Sequence, residues 1–76
     1  MKNLDLNEFV RAKRKSLRLT QVELSDKSGV GLRFVRELER GKITLRLDKV
    51  NQVLKLFGYQ LGAVQLNRNT LLDETS

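Results

Sequence analysis

The chain has 76 residues, enough for one small domain whose limited core makes support from a second subunit plausible. Fifteen Lys and Arg against nine Asp and Glu leave +6, and residues 1 to 66 hold fourteen of the bases and seven of the acids, so the folded part carries +7 and favours polyanions. No cysteine excludes disulfides and thiolate metal sites, no histidine removes the commonest general base, and no apolar run approaches the roughly 20 residues that span a bilayer; a soluble cytoplasmic protein is the default expectation.

In chain order, Leu6, Phe9, Val10, Lys13 and Leu17 fall on one stripe of a first helix, with Asp5 and Glu8 spaced as a start signal. Arg11, Lys13, Arg14, Lys15 and Arg18 crowd this helix, either as a solvated surface or as an attractor of phosphate. Thr20 and Glu23 form an S/T-x-x-E capping box that starts a second helix at Gln21. Gly29 supplies the positive φ that reverses the chain, and Gly41 ends a third helix in the same way. Leu24, Val30, Val35 and Leu38 are spaced to meet in one core, which turns Leu32, Arg33, Arg36 and Glu37 outward. Two short helices in this arrangement make a helix-turn-helix, whose second helix fits the major groove of DNA.

Leu47, Val50, Leu54 and Phe57 mark the inner face of a last helix, with Asp48 favourable in its first turn and Gly58 its terminator. Leu56 lies about 180° from Leu47 and suits an interface. From Tyr59 to Leu66 apolar and polar residues alternate with period two, which predicts a short strand. No earlier segment offers it a partner strand, so it frills the domain edge, pairs with its copy in a second protomer, or binds another protein. Pairing between copies buries Leu61, Val64 and Leu66, with Tyr59 and Leu56 extending the interface. Residues 67 to 76 form a polar tail in which Leu71 and Leu72 stand alone, as an anchor for a partner or as a solvated end without a role.

Residues from about 9 to 66 resemble the phage-repressor-type, Xre/Cro-like helix-turn-helix family. The segments Leu19-Thr20-Gln21, Gly29-Val30-Gly31, Glu37 to Lys42 and Leu47-Asp48-Lys49-Val50 are similar to HipB-like antitoxins. The resemblance implies an all-α, four- to five-helix, lambda-repressor-like domain over residues 1 to 66, with the C-terminal strand paired across a dimer. It further implies an autoregulating repressor that binds double-stranded DNA at an inverted-repeat operator, together with a HipA-like kinase toxin, the partner that Leu71 and Leu72 would hold if the tail is an anchor. The alternative is a stand-alone phage-type regulator without a toxin.

Residue roles follow from the same resemblance. Gln21 matches the glutamine placed near a phosphate and a base-reading neighbour, while Leu32, Arg33, Arg36 and Glu37 match the outward positions of the recognition helix. Arg suits guanine O6 and N7, and Leu suits a thymine methyl. Arg33 and Arg36 otherwise serve as plain phosphate contacts, and Glu37 either accepts from cytosine N4 or pairs with a basic neighbour. Lys42 and Thr44 match positions that hold the DNA backbone, and Arg14 and Arg40 complete the phosphate-binding set. Arg14 also corresponds to an arginine that pairs with a glutamate, here Glu39. Phe34 is read as packing. Ser25, Ser28 and Gly31 depart from the family pattern, where Ala, a larger apolar residue and a Ser or Thr cap are usual.

Other functions fit poorly. The carboxylates sit at helix starts or between bases, Gly29 and Gly31 supply only part of a phosphate loop, and no cofactor is implied. A membrane-surface role is opposed by an apolar helix face already used in the core, and RNA binding by the lack of an aromatic platform.

Overall fold

The computed structural model describes residues 5 to 66, and Leu71 and Leu72 lie outside that range. Four helices are present among the described residues: α1 (Leu6–Ser16), α2 (Gln21–Ser28), α3 (Leu32–Arg40) and α4 (Leu47–Leu56). Their apolar faces close on one core of Val10, Leu24, Val30, Val35, Leu38, Val50, Val53 and Leu54, flanked by Phe9, Phe34, Leu45, Phe57 and Leu61. With so few residues inside, every helix contributes at least one fully buried side chain, and none is independent of the others.

The helix ends show which local signals act. Thr20 Oγ1 accepts from the Glu23 amide at 3.0 Å and Glu23 Oε1 accepts from the Thr20 amide at 2.9 Å, so the capping box is complete. Gly29 closes α2 at φ 81°, and an added Cβ there would stand 2.9 Å from Gln52 Nε2, which donates to the Ser28 carbonyl at 2.8 Å. The α2–α3 turn is thus clamped from α4. Gly41 ends α3 at φ 87°, with its amide on the Leu38 carbonyl and the Lys42 amide on the Glu37 carbonyl. Ser25 and Ser28, unusual for the motif, are satisfied by the carbonyls of Val30 and Leu24.

Several expectations need correction. Asp5 is the N-cap of α1, but its side chain makes no capping hydrogen bond, so only its carbonyl, accepting from Phe9, starts the helix. Leu17 is the exposed C-cap of α1, and Leu47 is 69% exposed at the first position of α4, because the inward stripe of that helix runs through Val50, Val53 and Leu54. Val53, fully buried, also belongs to the core, one turn after Val50. Tyr59 to Leu66 forms no strand in the single chain: a ladder needs a second strand, and no described segment offers one. The segment is extended from α4 and tied down only at its start. The Tyr59 amide bonds to the Leu54 carbonyl, the Leu61 amide to Asn51 Oδ1 at 2.7 Å, and the Tyr59 ring meets Phe9 edge-on at 4.8 Å. Beyond Leu61, Val64 is 81% exposed and Leu66 is exposed as well.

Candidate nucleic-acid interface

The recognition helix has two stripes. Val35, Leu38 and Glu39 are buried, while Arg33, Arg36 and Arg40, spaced i, i+3 and i+7, are exposed along the opposite side. The inner stripe determines the outer one. Packing of Val35 and Leu38 fixes the rotation of α3 about its axis, which leaves the three arginines on the solvent side.

Glu39 is the buried charge of this helix, at 3% exposure. A lone carboxylate there would carry a prohibitive desolvation cost, and the fold answers it with a network. Arg14 Nε and Nη2 donate to Glu39 Oε2 and Oε1 at 2.7 and 3.0 Å, and Gln21 Nε2 donates to Oε1 at 3.2 Å. Arg14 Nη1 also donates to the Leu19 carbonyl at 2.9 Å, and Arg11 Nη2 to the Glu39 carbonyl at 2.5 Å. One carboxylate therefore locks α1, the α1–α2 turn, the first residue of α2 and the end of α3 together.

This pairing changes the role of Arg14. Its side chain is 13% exposed and each of its three nitrogens already donates within the fold, so in this structure it ties α3 to α1 and the α1–α2 turn. The exposed cations of α1 on that side are Arg11 and Lys15, and Arg11 has no counterpart among the roles that the family resemblance implies. Its signal in the sequence is the i, i+3, i+4 run of Arg11, Arg14 and Lys15 on α1. Arg11, Arg14, Lys15, Arg36 and Arg40 line a hollow between α1, α2 and α3 with Gln21 and Glu39, five cations against one carboxylate. Gln21 sits at its edge, half-buried, with its amide nitrogen turned to Glu39.

The leading half of α3 is arranged differently. Leu32 is half-buried and Phe34 packs on the core beneath Lys49, whose Nζ lies 5.9 Å from the ring centroid. Glu37 accepts from Arg33 Nε at 3.1 Å and from Lys42 Nζ, which pull its carboxyl below the usual glutamate range, the Lys42 hydrogen bond foremost. Of the two readings of Glu37, pairing with basic neighbours is the one seen. Arg33 remains 93% exposed. Thr44 and Ile43 are exposed on the connection after α3, beside Lys42. The residues placed at the dimer contact divide: Leu61 is half-buried against its own core, whereas Leu56, Tyr59, Val64 and Leu66 are exposed.

No helix among the described residues is long and apolar enough to cross a membrane. A family model described as helix-turn-helix matches residues 10–64. The uncharacterized HTH-type transcriptional regulator y4mF of Sinorhizobium fredii is 48% identical over 54 residues, which cover 71% of this chain and 71% of that protein. The matched span takes in all but the first turn of α1, the whole of α2 to α4 and most of the segment after them, and on these grounds the chain belongs to the helix-turn-helix family of DNA-binding transcriptional regulators.

Proposed function

We propose that this protein is a dimeric, sequence-specific repressor that reads an inverted-repeat operator with α3. The observation that carries the reading is the exposed arginine stripe on a helix whose rotation is held by the buried Arg14–Glu39 pair. Arg33, Arg36 and Leu32 face the base edges with Glu37 paired to Arg33 beside them, and Gln21, Arg40, Lys42 and Thr44 hold the backbone, with Arg11 and Lys15 adding to the phosphate grip. Residues 1 to 66 act as the DNA-binding and dimerisation unit. Two copies joined through Tyr59 to Leu66 present two recognition helices to half-sites about one helical turn apart, roughly 34–36 Å. Selection of bound duplexes from a random pool tests this: enrichment of an inverted repeat is the expected result, and recovery of unrelated sequences contradicts it.

We further propose that the repressor is the autoregulating antitoxin of a HipA-like kinase, a reading supported by the resemblance of its turn and α3–α4 segments to HipB-like proteins. Leu71 and Leu72 in the tail are assigned to the kinase. Co-purification from the native host should yield a kinase-sized partner that protein lacking residues 68 to 76 captures less well, with operator binding intact. A protein recovered without a partner would be the stand-alone regulator.

A further inference from the structure

The leading arginine of the recognition helix does not reach into solvent unaccompanied. Arg33 Nε is held by Glu37 Oε1 one turn later, and the other carboxylate oxygen accepts from Lys42 Nζ. The Lys42 backbone is fixed beside the same residue, because its amide caps the Glu37 carbonyl in the turn at Gly41. A cation assigned to base edges and a cation assigned to phosphate therefore share one anion. Glu37 is half-buried against the helix surface while Arg33 is almost fully exposed, so the carboxylate forms the fixed side of the cluster and the guanidinium the mobile side.

We infer that the Glu37 carboxylate is a specificity determinant, which orients Arg33 for guanine and opposes the binding of DNA that offers no matching base. The inference rests on the proposed reading of DNA by α3. With Nε engaged by Glu37, both terminal nitrogens of Arg33 are left to approach guanine O6 and N7, and the side chain is stiffened before DNA arrives. On a matched site Arg33 reaches the base edge without leaving Glu37. On an unmatched duplex Arg33 and Lys42 gain only by turning to phosphates, which strips Glu37 of both partners and leaves its negative charge facing the negative backbone. Like charges so placed are strongly unfavourable, and that cost falls selectively on the wrong sequences.

Glu37→Gln keeps the shape and a hydrogen-bond acceptor but removes the charge. Its binding, with that of the wild type, would be titrated on the selected duplex and on a scrambled duplex at several salt concentrations, after matching melting curves confirm the fold. The scrambled duplex should bind about threefold to tenfold more tightly than it binds the wild type, and the selected-to-scrambled ratio should fall by at least that factor. The slope of log affinity against log salt on the scrambled duplex should steepen by about 1, because one more phosphate contact goes uncompensated. Glu37→Asp, which retains the charge, should stay close to wild type on the scrambled duplex. Unchanged scrambled-duplex affinity and salt slope in Glu37→Gln would overturn the inference while leaving the proposed function standing. A wild-type protein with no preferred duplex would refute the proposed function itself, and this inference with it.

Discussion

At the scale of the residue, the molecule turns on Glu39. It is the buried acid on α3, and its partners come from α1 and α2, so removing it leaves the Arg14 guanidinium under the surface without its counter-charge. Loss of one partner of a buried pair costs about 3–5 kcal/mol, against about 0–1 for an exposed one. Glu39→Ala should therefore lower the melting temperature by many degrees, and Arg14→Lys should restore little, since an ammonium cannot offer the two-pronged contact. A melting temperature within a degree or two of wild type would show that the pair is dispensable. Glu39 was legible only by analogy with related repressors: its spacing beside Leu38 is that of an inward residue, but an acid at such a position reads as exposed until its cation is known. Arg14 illustrates the reverse, because in a run of exposed bases nothing local distinguishes the one that turns inward.

At the scale of the element, helix starts and stops are legible in the sequence where the signal is carried by backbone geometry or by a reciprocal hydrogen bond, as at Gly29, Gly41, Gly58 and the Thr20–Glu23 box. They are obscured where an apolar residue occupies a helix end, as with the exposed Leu17 and Leu47, since periodicity alone does not show whether a neighbouring element covers a position. The box gives a pH test. The backbone amide of Thr20, foremost, and its side chain hold the Glu23 carboxyl below the usual glutamate range. A lowered folded-state pKa means that this stabilisation is present above the unfolded value and disappears as pH falls through the folded one. Glu23→Gln should thus melt below wild type at neutral pH, and the gap should close in acid; a gap independent of pH would assign the contribution to something other than the charge. Thr20→Ala removes the cap itself and should cost about 1 kcal/mol in denaturant unfolding.

At the scale of the whole molecule, a single chain leaves Leu56 at the end of α4 and Tyr59, Val64 and Leu66 after it exposed, and Tyr59 and Val64 line a groove with Leu6, Phe9 and Leu54. The alternation that suggested a strand is real in the sequence, yet a strand is a property of a pair, which is why it is absent from one chain. The proposed dimer would supply both the missing ladder and the symmetry that an inverted repeat requires. Val64→Pro deletes one ladder donor at a position far from α3 and should convert a dimer to a monomer in sedimentation, with full-operator binding weakened. A variant that stays dimeric would place the interface elsewhere.

In the proposed complex the exposed side of α3 reads bases while the residues around it grip the backbone. Equilibrium binding of Arg33→Ala, Arg36→Ala and Lys42→Ala to the selected and scrambled duplexes tests it most directly. A good base contact is worth about 1–3 kcal/mol of discrimination, so both arginine variants should lose roughly tenfold or more on the selected duplex relative to the scrambled one. Lys42→Ala should weaken both duplexes to a similar degree and flatten the salt dependence. Equal losses on the two duplexes for both arginine variants would contradict base reading by α3 and reduce its stripe to an electrostatic grip.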